Sequence, residues 1–501
     1  MRSRLPAIGA ALAAAIALLF YMWATGDVYE RLPHIEDDFS NLWAAHVFAQ
    51  GQAALRTPPD KNSFLVPFVV DFNGLRFSKY PPGWPAALSV GVRFGADWLV
   101  NPILAALAVW LTFRLGSKIA GPWIGLLAAV LLVISPMAVM ISASLLSHSL
   151  SLFLSLAFVL AWIDLFLAAQ TSTADPPRPA MLVPVAGASL GLLALTRPLT
   201  AIGVALPFAV HGLWILLRGR TSDRRHLVGL AGLAMAIAAL LPVWQRSLTG
   251  NPWLNLYTLW WPYDRLGFGP GIGVTSTGHN LHLAYSNARF SLRAGVHDLF
   301  GWPYLSWIFL PFGLVSLRKN LRAWLGFATF PGLILAYSFY WIGSWLYGPR
   351  YYYEALPGLA VMSAAGIFRI GGWSIRTGFQ PGLRRRAMAA LLAGLVAVDL
   401  FFYLPARLGG MRQLYSISRA AMAPIETADL GRALIVVHPE HRWTEYGALL
   451  TLSPPFSSTD MTLLAIFLGG DQDAQLARDF PDRILYHYYT SDPSMFYRIS
   501  R

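Results

Sequence analysis

The chain of 501 residues contains no cysteine. Disulfides, thiolate catalysis and cysteine-ligated zinc are therefore excluded. Charge is also scarce: Asp, Glu, Lys and Arg make up 13% of the residues, against roughly 25% in an ordinary soluble domain. Lysine occurs only at positions 61, 79, 118 and 319, so the positive charge is almost all arginine. Arginine over lysine, with no long inserted loop domain, fits a bacterial inner membrane. No Walker element, Gly-x-Gly-x-x-Gly fingerprint or Ser-His-Asp order stands out, which argues against nucleotide-driven transport. Hydrophobic residues fill the chain instead, at 56%, with a mean hydropathy of +0.50. That balance excludes a soluble enzyme, a disordered chain and a coiled coil, and points to many membrane spans. The net charge of +13 is dispersed between apolar segments, so a nucleic-acid partner is not expected.

The apolar runs predict eleven spans: 6–25, 97–117, 122–142, 146–169, 180–196, 198–217, 226–246, 302–317, 323–343, 352–372 and 386–405. The first, with Tyr21-Met22-Trp23 where a cleavage site would need small residues, reads as a retained helix rather than a signal peptide. Segment 84–95 is too short to cross and reads as a half-helix. Basic clusters at Arg2/Arg4, Arg114/Lys118, Arg218 to Arg225, Arg318/Lys319/Arg322 and Arg376 to Arg386 fall on alternate loops. By the positive-inside rule the N-terminus is then cytoplasmic, as is the Pro-rich loop 171–179. Segment 26–83, loop 247–301 and the tail from 406 are expected outside. Within 26–83, residues 41–55 read as an amphipathic helix on the membrane surface. The tail changes character: runs at 433–437, 463–468, 484–489 and 496–499 read as strands and 472–480 as a helix, together a small α/β domain over 406–501.

The residues that invite chemistry begin with Glu36-Asp37-Asp38, directly after the first span. Three adjacent carboxylates need a cation, nearby arginines or a substrate to offset their repulsion. Lys79-Tyr80-Pro81-Pro82-Gly83 then opens the half-helix. Leu195-Thr196-Arg197-Pro198 separates two middle spans, and Tyr347-Gly348-Pro349-Arg350-Tyr351-Tyr352 with Leu356-Pro357-Gly358 opens a late one.

In this order and on these faces, the motifs over 1–405 resemble the GT-C superfamily of integral-membrane glycosyltransferases. The resemblance is greatest to the branch with the protein O-mannosyltransferases and the lipid A aminoarabinose transferase. Asp37-Asp38 stands where that branch has Asp-Glu, Gly51 follows at its expected distance, and His148 stands where an Asp is common. The resemblance implies an all-α polytopic membrane domain. It also implies inverting transfer of a sugar, by single displacement, from a polyprenyl-phosphate-linked donor to an extracytoplasmic lipid, glycan or protein. Asp37 is then the expected general base, with Asp38 its catalytic partner. Arg350, Arg197, Lys79 and Tyr80 are expected to bind the donor phosphate, and Glu36, His148, Trp261 and Tyr351 to contact substrate. A divalent metal ion is the one cofactor left open, with His279 and His282, three apart, as a weak ligand pair. The glycines at 267, 269, 271 and 273 read as a hinge or lid. The alternative function is a secondary transporter or lipid flippase, which would place charges at the midplane on interrupted helices.

Overall fold

A computed structural model describes residues 4–167, 179–373, 382–453 and 462–499. Arg2, Arg376 and loop positions 171–178 lie outside the described residues. Among the described residues, seven helices are long and apolar enough to cross a membrane: Leu5–Val28, Asp97–Ala120, His148–Phe166, Pro179–Thr196, Pro198–Arg218, Thr221–Thr249 and Leu383–Gly409. The chain is a multi-pass membrane protein. An eighth span is formed if Pro122–Ile134 and Pro136–Ala143, bent by 59° at Ser135, count as one. Proline cannot continue the helical ladder, which explains the break.

The expected count of eleven is not reached by helix length and hydropathy. Run 302–317 is helical only over Leu310–Ser316, after a series of turns that begins at Pro303. Run 323–343 ends as a helix at Tyr337. Run 352–372 is a 3₁₀ turn, Arg350–Ala355, followed by the buried helix Leu356–Gly371. Hydropathy alone cannot tell a lipid-facing span from a helix buried by its neighbours.

The largest core gathers these helices around Leu132, Val139, Leu152, Phe158, Leu333, Leu359 and Ile367. At one end of the bundle Lys118 meets Asp164 at 2.6 Å, and Arg322 donates to the carbonyls of Lys118 and Leu167. These contacts satisfy carbonyls left open at two helix ends.

Between the first two spans the chain forms helix Glu36–Ala49 and then strands β1 (Leu55–Arg56), β2 (Val69–Phe72) and β3 (Leu75–Ser78). The helix begins five residues before the expected start and buries Asp38, Phe39, Ser40, Asn41, Trp43 and Val47, so it is packed on both sides rather than laid on a surface. Strands β2 and β3 form an antiparallel hairpin closed by Asn73-Gly74, both with positive φ. That pair is a strong two-residue hairpin signal.

Toward the C-terminus the chain forms β4 (Ala433–His438), β5 (Leu463–Ile466), β6 (Ile484–Tyr489) and β7 (Phe496–Arg498), with helix Gln472–Asp479 between β5 and β6. The sheet order is β5-β4-β6-β7, parallel except for β7. One face packs with Leu32 and Phe39, so the sheet rests on the segment after the first span. Ser63 bonds Ile466 through its carbonyl (2.8 Å) and Gln472 through its hydroxyl (2.6 Å) from the same segment.

Candidate active site

Hairpin strand β3 delivers Lys79 and Tyr80 directly, and Pro81-Pro82 then turns the chain into helix Gly83–Arg93. A Cβ at Gly83 would lie 2.6 Å from Thr196 Oγ1 and 2.7 Å from the Leu195 carbonyl. Only glycine lets the Lys79–Tyr80 segment approach the turn that carries Arg197 this closely. Arg197 itself is extended (φ −146°, ψ 84°) between two helices, because Pro198 disfavours the helical conformation in the residue before it.

These elements enclose a cavity of about 480 Å³. Its wall includes Asp37, Lys79, Tyr80, Arg197, Tyr351 and Asp264. Five of the residues singled out from sequence therefore meet, from segments more than 300 positions apart.

Asp37 is held from two sides. The Tyr80 hydroxyl donates to its Oδ1 at 2.7 Å, and Arg350 Nη2 lies 3.9 Å from its Oδ2. Burial, and then the charge of Asp37, raise the Tyr80 phenol well above its usual range, so it remains a donor. Arg350 does not itself line the cavity, and its buried Nη1 has no hydrogen-bond partner. The Asp37 side chain keeps 26% of its surface accessible.

Asp38 points elsewhere. It is fully buried, its Oδ2 accepts from the His34 backbone at 3.4 Å, and its Oδ1 has no partner. Burial, followed by the neighbouring Asp37 charge, pushes its carboxyl up to about 8. Burial thus favours its protonated form, and it lies outside the cavity wall. Glu36 is half-buried and also off the wall.

Lys79 sits in an aromatic cage. Its Nζ is 3.6 Å from the centroid of Phe68, 4.7 Å from Trp261 and 5.1 Å from Tyr257. Cation–π attraction offsets part of the loss of water. Burial lowers the ammonium below its usual range, against the pull of Asp264 at 3.4 Å. Asp264 also accepts from the Tyr340 hydroxyl and Trp341 Nε1, each at 3.0 Å. Trp261 therefore backs Lys79 rather than facing the cavity.

Arg197 donates to Tyr337 Oη at 2.8 Å, Thr200 Oγ1 at 3.0 Å and Ser147 Oγ at 3.3 Å. His148 lies behind it, with Nδ1 3.4 Å from Nη1, and does not line the cavity. A buried carboxylate not singled out from sequence, Glu354, stands 3.8 Å from Arg197 Nε and accepts from Ser151. An acid inside Arg350-Tyr351-Tyr352-Tyr353-Glu354, opening an apolar helix, was the available signal, since buried acids there need partners. Asn73-Gly74 was the matching signal for the hairpin that aims Lys79 and Tyr80.

The histidine pair does not form a site. The helix that was to align both begins only at Leu281, so His279 precedes it. His279 bonds the Ser338 carbonyl at 2.9 Å and stacks on Phe268, whereas His282 is exposed. Among the described residues no three His, Asp or Glu side chains converge to hold an ion. That helix, Leu281–Asp298, is itself a departure from the expected loop 247–301, and Asn280 caps it by accepting from the Leu283 amide. The glycine segment before it is tied back: Gly267 N–H donates to Phe339, Gly269 N–H to His279 and Gly273 N–H to Tyr263, all to carbonyls.

A larger, open depression of about 550 Å³ lies at the far end of helix His148–Phe166, among Leu167, Lys319, Asn320 and Arg322. No carboxylate lines it.

No family model matches the sequence, and no curated protein is similar to it by sequence. Solved structures do match. ArnT from Cupriavidus metallidurans bound to undecaprenyl phosphate aligns with a TM-score of 0.56 at 13% identity, over 95% of this chain and 92% of that one. The apo state of ArnT aligns over the same shares with a TM-score of 0.53. The archaeal oligosaccharyltransferase AglB from Archaeoglobus fulgidus gives 0.48 at 13% identity, over 83% of this chain and 58% of that one. The chain thus shares its fold with the ArnT structures.

Proposed function

We propose that the chain is a glycosyltransferase that moves a sugar from a polyprenyl-phosphate-linked donor to a lipid, glycan or protein acceptor outside the cytoplasmic membrane. The observation that carries this reading is the accessible Asp37 carboxylate, fixed by Tyr80 and Arg350 on a cavity that Arg197 and Lys79 also line. The ArnT structure of the same fold holds undecaprenyl phosphate, which supports the donor class.

The step is a single displacement with inversion. An acceptor hydroxyl attacks the anomeric carbon while Asp37 takes its proton. The bond from that carbon to the phosphate oxygen breaks, and its electron pair leaves with the lipid phosphate. Arg197 and Lys79, which line the cavity, stabilise the added negative charge, and Arg350 holds Asp37 from behind the wall. Tyr80 fixes the carboxylate, and Tyr351 offers a ring on the wall for the sugar. Asp38, buried outside the wall, positions the start of its helix rather than reacting. In this reading the N-terminus is cytoplasmic, residues 406–501 form an external α/β domain, and the enzyme resides in the inner membrane.

The test is transfer by the purified protein in detergent, offered a panel of radiolabelled polyprenyl-phosphate sugars with membrane extract as acceptor. Label should move with wild type and not with Asp37→Asn. Equal transfer by both removes Asp37 as base, and donor-independent flux in proteoliposomes would replace the reading with transport.

A further inference from the structure

The carboxyl ends of β4 and β6 carry a polar cluster that the transfer reading does not use. Along one sheet face the strands read Leu434-Val436-His438 and Leu485-His487-Tyr489, with Leu463, Ala465 and Phe467 beside them. The lower positions form a core with Leu476 of helix Gln472–Asp479. At the carboxyl end that alternation continues, but the inward residues become histidines. His438 Nε2 lies 2.5 Å from His487 Nδ1, and His487 Nε2 lies 3.0 Å from Asp473 Oδ2. The ring of His438 is clamped between Phe467 and Tyr489, at 4.0 and 4.2 Å.

The place in the fold points the same way. From β4 the chain moves to β5 on one side, then crosses to β6 on the other, so β4 and β6 flank a topological switch point. In open parallel sheets ligands bind outside the carboxyl ends of strands at such a point.

We propose that His438 and His487 bind a first-row transition-metal ion of the Zn²⁺ class. Asp473 accepts the Nε2–H of His487, which leaves the Nδ1 lone pair turned toward His438. A carboxylate behind a histidine is the usual second layer of an imidazole–metal site. Zinc–nitrogen bonds of roughly 2.0–2.1 Å at a tetrahedral angle place two nitrogens about 3.3 Å apart. The rings must therefore separate by less than about 1 Å from their present hydrogen bond. With two protein ligands, solvent completes the coordination, and the side chains of His487 and Asp473, 18% and 37% exposed, leave it access. The ion would tie β4 to β6 next to the helix that carries Asp473.

The test uses the full chain without a polyhistidine tag, stripped by a chelator, with Zn²⁺ in calorimetry and Co²⁺ by visible absorption. One ion per chain is expected. Asp473→Asn should weaken binding by roughly 10- to 100-fold, and the double variant His438→Ala/His487→Ala should lose it. His441→Ala, at a side chain 73% exposed, should change nothing. Zinc-edge X-ray absorption on wild type, which needs no variant to fold, should show scattering from two imidazoles. Sub-stoichiometric binding by wild type, full affinity in the double variant, or an edge spectrum without two imidazoles each overturns the site.

Discussion

The cavity and the carboxyl end of the C-terminal sheet both concentrate polar side chains, but they assemble them differently. The cavity draws Asp37, Lys79, Arg197 and Asp264 from four distant segments and holds each against a partner on another segment. The sheet end draws His438 and His487 from adjacent strands through their period of two, with Asp473 a short step away. The first arrangement depends on the packing of the whole bundle. The second depends on strand register and on the one helix that carries Asp473.

The comparison is broken most sharply by removing a group from the cavity. Asp37→Asn should lower transfer by roughly 10²- to 10⁴-fold, the usual contribution of a positioned base, in protein that still folds. Single-turnover assays on donor-loaded enzyme check this. Asp264→Ala leaves Lys79 buried and unpaired, and should destabilise by roughly 3–5 kcal/mol. Thermal unfolding in detergent reads that loss, and Asp264→Ala/Lys79→Met should recover much of it.

Asp38 sharpens the contrast within one helix turn. Its folded value of about 8 lies above the ordinary carboxylate value of 3.8. The native state then holds a proton that the unfolded chain has released between those values. The stability that this group contributes is fully present below pH 3.8 and declines to its loss as pH rises through about 8. Melting temperature measured across that window should fall less steeply in Asp38→Asn than in wild type. Transfer at pH 7 should survive in that variant, unlike Asp37→Asn. The smallest effect belongs to Asp27→Asn, whose partner Arg412 and itself are each about half exposed. A cost under about 1 kcal/mol is expected from such a surface pair, measurable as a small shift in the same melt.

Much of this arrangement was legible because the motifs are local. Tyr80-Pro81-Pro82, Arg197-Pro198 and the residues around Arg350 each announce a helix boundary, and helix boundaries are where polar side chains can face a cavity between spans. The strands of the C-terminal sheet were legible for the same reason, from short apolar runs. What was not legible depends on packing. Asp37 and Asp38 are chemically alike and adjacent, yet about 100° apart around a helix, and only their neighbours send one to the wall and one inward. Run 302–317 has the hydropathy of a span but only one short helix, and Glu354 gains its meaning from Arg197, 157 positions earlier. Asp399, inside the predicted run 386–405, is buried within Leu383–Gly409 against Gly301.

The contact at Gly83 has a consequence for any attempt to change what the cavity accepts. A mutational library has latitude at Leu241, Gln245 and Trp253, which shape the cavity without joining its ion pairs. It has none at Gly83, where even alanine pushes Tyr80 and Arg197 apart and spoils every other choice in the library. Position 83 should therefore stay invariant among active clones even when it is fully randomised.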